Sequence, residues 1–204
     1  MAMGSQVAAP SAAEQSMETL IRGLGLRIEP REFVEILTEE LAGLRAAPRD
    51  ADSRRALTSL EDARLRSAGF RLDPLTREDP DPIARTAASF AALIAASLTA
   101  AEAAQRLRVD PSRIRQLLGA GAIYGIKVRG TWHLPRFQFR GRRLVPGIDA
   151  VTRRLPRDLH PVEVSSWFGS PNQDLEVDGS ARSPLEWLTS GGDPERAAAL
   201  AQDL

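Results

Sequence analysis

Residues 98–139 read LTAAEAAQRLRVDPSRIRQLLGAGAIYGIKVRGTWHLPRFQF, and this stretch decides the predicted fold. Thr99 is followed three residues later by Glu102, which is the spacing of a capping box at the start of a helix. Asp110 stands directly before Pro111, which is typical of an N-cap followed by proline in the first helical turn. The stretch therefore predicts two short helices joined by a tight turn.

The same stretch predicts a β-hairpin after the helix pair. The two helices are expected over Ala100–Leu107 and from Pro111 to about Leu118. Ile123–Val128 and Thr131–Leu134 have the composition of strands, and the Arg-Gly pair between them is a turn signal. A helix-turn-helix followed by a hairpin is a winged helix-turn-helix arrangement.

The charges are segregated along the chain, although 27 basic and 27 acidic side chains give a net charge of zero. Residues 105–157 carry 13 basic and 2 acidic side chains, a net charge of +11. Residues 1–104 carry 12 basic and 16 acidic side chains, or −4, and residues 158–204 carry 2 and 9, or −7. A basic segment between two acidic ones is typical of a polyanion-binding module beside a module with another role.

The composition excludes several kinds of site. The chain has no cysteine, and its two histidines, His133 and His160, are too few for a multi-histidine metal site. His133 is predicted at the surface of the hairpin, facing solvent or DNA, and His160 in a loop. The sequence has neither clustered metal-ligating residues nor a glycine-rich phosphate loop. We therefore expect no enzyme activity, no metal and no cofactor.

The pattern of helices divides the chain into four parts. Residues 1–16 are predicted to be a disordered tail, residues 17–97 a helical region, residues 98–140 the winged helix-turn-helix and residues 141–204 a small helical domain. Residues 17–97 could form a homodimer, which would suit paired DNA half-sites, and a plain helical domain explains them equally well. Further helices are predicted over Glu18 to about Leu44, Ser53–Ala68 with Leu60 on its apolar side, Ile83–Ser97, Asp149–Leu155, Pro161–Phe168 and Asp193–Leu204.

The expected fold class is mainly α with a small hairpin. No apolar run reaches the roughly 18 residues that a transmembrane helix needs. Residues 1–16 lack the features of a signal peptide. A cytoplasmic protein without membrane association is expected.

The stretch from Leu98 to about Phe139 resembles the MerR/excisionase type of winged helix-turn-helix. The shared features are the small-residue first helix, the turn into Pro111, the glycines after the second helix, the Ile-Lys-Val strand and the aromatic strand. The resemblance implies that the second helix is a recognition helix whose N-terminal side chains enter the major groove of double-stranded DNA.

The residue types in this helix agree with that role. Arginine can bond bidentately to guanine and glutamine to adenine, and hairpin cations can contact phosphates or the minor groove. The predicted DNA-binding residues are Ser112, Arg113, Arg115, Gln116, Lys127 and Arg129. The apolar residues expected to face the core are Ile114, Leu117 and Leu118. Trp132 is also expected in the core, and stacking on DNA is the alternative for it. After the hairpin, further arginines are expected to make non-specific phosphate contacts: Arg140, Arg142 and Arg143.

Residues 160–204 read HPVEVSSWFGSPNQDLEVDGSARSPLEWLTSGGDPERAAALAQDL and resemble the C-terminal toxin-binding domain of the Xre/MbcA/ParS antitoxins. The shared motifs, in order, are Trp167–Phe168, a loop with Pro171, Asn172 and Leu175, Gly179, the run Ser183–Leu188, and the final helix within Gly191–Leu204. Antitoxins of that family usually carry an Xre-type helix-turn-helix near the N-terminus, whereas here the module is excisionase-like and central.

The two resemblances together imply an antitoxin of a type II toxin–antitoxin system. Its partner would be a toxin encoded by a neighbouring gene, either a RES-type NADase or a PIN-type ribonuclease, and it would repress its own operon by binding operator DNA. The implied toxin-binding residues are Trp187, Leu188, Leu200, Asp203 and Leu204. The alternative is a stand-alone MerR/excisionase-like transcriptional regulator with a C-terminal protein-interaction domain.

Overall fold

The described part of the chain is mainly helical, with three small antiparallel sheets. A computed structural model describes residues 18–19, 21–23, 28–47, 58–67 and 81–204. The predicted tail, residues 1–16, lies outside these ranges. No helix in the described ranges is both long and apolar enough to cross a membrane.

The helices and strands follow one another in chain order. The helices are α1 (Pro30–Ala46), α2 (Ser59–Ser67), α3 (Pro82–Ala96), α4 (Ala100–Leu107), α5 (Pro111–Gly119), α6 (Ile148–Thr152), α7 (Pro161–Gly169), α8 (Pro184–Thr189) and α9 (Pro194–Gln202). The strands are β1 (Leu98–Thr99), β2 (Ile126–Val128), β3 (Thr131–Leu134), β4 (Phe139–Arg140), β5 (Arg143–Leu144), β6 (Asn172–Val177) and β7 (Ser180–Arg182). The first sheet has the order β1-β3-β2, and β4-β5 and β6-β7 are separate hairpins.

The predicted caps are confirmed, and they set where the helices begin. The Thr99 hydroxyl accepts from the Glu102 amide at 3.2 Å, while the Glu102 carboxylate accepts from the Thr99 amide at 2.8 Å. The Asp110 carboxylate accepts from the Ser112 amide at 2.7 Å, which starts α5. These bonds use backbone amides that would otherwise have no partner in the first helical turn.

Two N-terminal helices differ from the prediction. The helical pattern expected from Glu18 is interrupted at residues 28–29. The predicted role of Pro30, which opens the run in the first turn of the helix, is confirmed, because α1 begins there. The helix expected over Ser53–Ala68 is described only from Ser59 to Ser67, since residues 51–57 and 68–80 lie outside the described ranges. Leu60 is 62% exposed and does not belong to a core.

The hairpins also differ from the prediction. Strand β2 starts at Ile126 and not at Ile123, because Ile123 is buried beneath the helix pair. The segment expected as a loop around Asn172 and Leu175 is strand β6, which pairs with β7 across the turn Asp178–Gly179. Both turn residues have positive φ, as a tight hairpin turn requires.

Among the described residues, three apolar cores hold these elements together. The helix pair and the first sheet enclose Ile114, Leu134 and neighbouring side chains. Helices α6 to α9 enclose a second core around Phe168 and Leu188. A third core joins α1 and α3 to Ile126 on the hairpin formed by β2 and β3. The hairpin therefore has the helix pair, α4 and α5, on one side and the two helices α1 and α3 on the other.

The buried side chain of Gln138 connects two backbone segments, at Tyr124 and at Pro135, through hydrogen bonds. Its amide nitrogen donates to the Tyr124 carbonyl at 2.8 Å and to the Pro135 carbonyl at 3.1 Å. Its amide oxygen accepts from the Tyr124 backbone amide at 2.9 Å. Because donor and acceptor are both satisfied, the hydrogen bonds offset the cost of burying this polar group, and the group fixes the local path of the chain.

Candidate nucleic-acid interface

Helix α5 is amphipathic and turns a polar face to solvent. Ile114 is fully buried, and Leu117 and Leu118 pack half-buried against the same core, which confirms their predicted inward orientation. Arg113 and Arg115 lie on the exposed side, together with Gln116. A helix packed in this way presents its polar side chains outward as a set.

The first turn of α5 is bonded internally. The Ser112 hydroxyl is the largest cause that lowers the pKa of the Asp110 carboxyl, followed by the Ser112 backbone amide. Ser112 is half-buried and serves the cap. One turn on, the Arg113 guanidinium donates to the Gln116 side-chain oxygen at 3.3 Å. Arg113 and Gln116 therefore lie side by side on the exposed face, with donors free for an external ligand.

Lys127 and Trp132 lie opposite each other in the hairpin and face the same side. They are paired across β2 and β3, and the Lys127 ammonium is 5.9 Å from the centre of the indole ring. Trp132 is half-buried against the core of the helix pair, as predicted. A Cβ at Gly125 would lie 2.5 Å from a Leu118 methyl and 3.0 Å from the Trp132 ring, so any larger residue there would have to displace the end of the Leu118 side chain.

Arg129, at the tip of the hairpin, is turned towards α1. Its guanidinium donates to Glu35 at 2.6 Å and to Glu39 at 3.0 Å, and these bonds raise the pKa of Arg129. The bond from Arg129 holds the pKa of the Glu39 carboxyl below its usual value. This predicted DNA contact is therefore already neutralised by two carboxylates of its own chain.

A cleft of about 950 Å³ opens between α5, the hairpin and residues 152–161. Four cations line it: Arg115, Lys127, Arg153 and Arg157, and its lining includes no aspartate or glutamate. The sequence prediction included the first two and missed the other two, although both belong to the +11 segment. Since the four cations come from three separate elements, only the fold brings them together.

Other arginines of the basic segment bond to backbone carbonyls within the protein. Arg136 donates to the Ala96 carbonyl at 2.6 Å, and Arg106 donates to the Gly141 carbonyl at 2.8 Å. Arg140, predicted as part of the basic track, donates to the Thr189 carbonyl at 3.1 Å. These three side chains connect elements that are distant in the sequence, so part of the +11 segment also has a structural role.

The two histidines lie half-buried among groups of their own chain. His133 is half-buried, and desolvation lowers its pKa, partly offset by the charges of Glu32 and Glu102. His160 is the N-cap of α7: one ring nitrogen accepts from the Val162 amide at 3.2 Å. The other ring nitrogen lies 2.8 Å from the carboxylate of Glu40 on α1. His160 therefore connects α1 to α7, which its predicted place in a loop does not anticipate.

No family model, curated protein or solved structure matches the chain. Groups of three or more side chains able to hold a metal ion do not occur among the described residues. The interpretation of the cleft therefore depends on its geometry and charge.

The residues implied as toxin contacts are divided between core and surface. Trp187 and Leu188 are buried, and the Trp187 indole nitrogen donates to the Asp193 carbonyl at 2.8 Å. Leu200 packs half-buried against the same core. Asp203 is exposed, and Leu204 is 45% exposed. In this conformation the indole and Leu188 stabilise the domain, and the end of α9 faces solvent.

Proposed function

We propose that the chain binds double-stranded DNA through α5 and the hairpin, in the manner of a winged helix-turn-helix. The observation that supports this is the exposed set of Arg113, Arg115 and Gln116 on α5, next to a cationic cleft without a carboxylate. Guanidinium and amide groups on one helix face match the hydrogen-bonding edges of guanine and adenine in the major groove. Lys127 is placed to contact a phosphate beside the helix.

Removing the Arg113 side chain is expected to weaken binding to a duplex from upstream of the chain's own gene. Arg113→Ala removes a potential bidentate contact to a base, which is worth about 1–3 kcal/mol, or roughly 5- to 150-fold in affinity. Fluorescence anisotropy with the labelled duplex measures the change.

Arg129→Ala is the matched control, since it removes the same charge from the hairpin tip. Its effect is expected to be smaller, because Glu35 and Glu39 already neutralise Arg129. Equal affinity of Arg113→Ala and the unaltered chain, or a larger loss for Arg129→Ala, would contradict this placement of DNA.

We also propose that the C-terminal unit, formed by helices α6 to α9 and the β6-β7 hairpin, binds a toxin encoded next to this gene, so that the chain is an antitoxin that represses its own operon. Support comes from the resemblance of residues 160–204 to the toxin-binding domain of the Xre/MbcA/ParS antitoxins and from the exposed end of α9. Helix α9 buries its alanines at 197, 198 and 201 and leaves Asp203 and Leu204 outside, free to contact a partner. A homodimer would match a two-fold operator.

Co-expression with the adjacent open reading frame tests the antitoxin proposal. The neighbour is expected to stop growth alone and to co-purify harmlessly with the unaltered chain. Leu204→Asp is expected to restore toxicity, because it places a charge in an apolar contact. Leu60→Asp, at a leucine that is 62% exposed on α2, is the control and should still neutralise. A neighbour that neither binds nor harms would leave the chain as a solitary regulator.

A further inference from the structure

Arg153 and Arg157 are held at the cleft by the core of the C-terminal unit. Val151 and Leu155 of the same segment are buried in that core, so the arginines between and after them are directed outward. The Thr152 hydroxyl donates to the Gly121 carbonyl at 2.8 Å, directly after α5. The segment is thus fastened to the end of the helix proposed to read DNA.

The charge around the cleft favours a ligand rich in phosphate. Arg153 pairs with one carboxylate, that of Asp149 at 3.0 Å, and both side chains are about half exposed. A single exposed pair of this kind is weak and easily exchanged for another anion, whereas Arg129 is held by two carboxylates at once. Within the described ranges, Arg115, Lys127 and Arg157 form no ion pair. Four lining cations outnumber the one carboxylate paired with them, that of Asp149, and such an excess of positive charge favours a polyanion.

We propose that the sugar–phosphate backbone of one DNA strand lies in this cleft, and that Arg153 and Arg157 bind its phosphates. The inference rests on the proposed function, since Arg115 and Lys127 join the cleft to the DNA-reading face. It adds a third segment, from outside the helix pair and the hairpin, to the DNA-binding surface. Arginine is suited to this because its planar group can bond two phosphate oxygens at once.

The dependence of affinity on salt tests the proposal. Removing one bond to a phosphate reduces the steepness of log affinity against log salt concentration by about 0.9. We expect Arg153→Gln and Arg157→Gln each to show that decrease, and the double variant about twice as much, in titrations of a random-sequence duplex from about 50 to about 200 mM KCl. The preference for the chain's own upstream DNA over the random duplex should not change, because phosphate contacts do not read sequence.

Arg154→Gln is the matched control. Arg154 lies between the two arginines but points away from the cleft, where it pairs with Glu195 of α9 at 2.7 Å. Its replacement should leave the slope unchanged. A variant with lysine at both Arg153 and Arg157 keeps both charges, and we expect it to keep the salt dependence of the unaltered chain. This variant separates the effect of charge from a disruption of the structure.

Three results overturn the proposal, in distinguishable ways. In the first, the variant with glutamine at both Arg153 and Arg157 has the same salt dependence as Arg154→Gln, while Arg115→Gln still weakens binding. This would mean that DNA binds but that Arg153 and Arg157 do not contact it. Absence of duplex binding by the unaltered chain removes the proposed function as well. Saturable binding of a mononucleotide in the cleft that duplex DNA does not displace would also contradict the inference.

Discussion

Replacing Gly147 by alanine is expected to lower the free energy of unfolding by about 2–5 kcal/mol. Gly147 has a φ of +71° at the start of α6, and the left-handed conformation costs an alanine about 1–2 kcal/mol. An added Cβ would also collide with the ring of Pro194, the first residue of α9. Overpacking of this kind costs about 1–3 kcal/mol more. Urea unfolding of the full chain measures the sum.

Gly141→Ala separates the two contributions. Gly141 also has a positive φ, of +59°, but a Cβ there would meet no atom within 4 Å. Its replacement should therefore cost only the conformational part, about 1–2 kcal/mol. Equal losses of stability for the two variants would show that α6 and α9 separate to admit the methyl group, contrary to a close contact between them.

Truncating Phe168 to alanine is expected to cost about 3–5 kcal/mol. The ring is fully buried in the C-terminal core, stacked on Phe137 at a centroid distance of 4.5 Å and in edge contact with Trp167 at 5.0 Å. Phe137 belongs to the short 3-10 turn of residues 136–138 that follows the hairpin. The truncation therefore leaves a cavity at the junction between the DNA-binding elements and the C-terminal unit.

Phe168→Leu is the matched variant for this cavity. It keeps an apolar side chain that fills part of the space of the ring, so its loss of stability is expected to be smaller than that of the alanine variant. Urea midpoints of the two variants should thus differ clearly. A destabilisation by Phe168→Ala no larger than that by Phe168→Leu would mean that the site collapses around the missing ring.

The elements predictable from the sequence were those fixed by local chemistry. The bonds of Thr99 with Glu102, and of Asp110 with the start of α5, span two or three residues, so their spacing alone determines the helix starts. Strand β6 was missed because the resemblance assigned its residues to a loop. The Asp178–Gly179 pair, a hairpin signal in its own right, would have indicated the turn.

The long-range parts of the site could not be predicted. The carboxylates that hold Arg129 are 90 and 94 residues away in the sequence, and no local pattern brings α1 to the hairpin tip. Arg157 likewise reaches the cleft only through the packing of the C-terminal core. The sequence motif places an aromatic residue at Trp187, but it does not distinguish a residue of the core from one that contacts a partner, and the structure shows this side chain buried.

Side chains on either side of the hairpin pack against two cores each, which limits how this segment can be exchanged with other proteins by recombination. Tyr124 packs against both the C-terminal core and the α1–α3 core, and Leu144 packs against the C-terminal core and that of the helix pair. A gene fusion that transferred residues 98–140 alone would uncover Ile126, which α1 and α3 now bury. We therefore expect recombination during evolution to have moved this segment together with its neighbours, as one inherited unit.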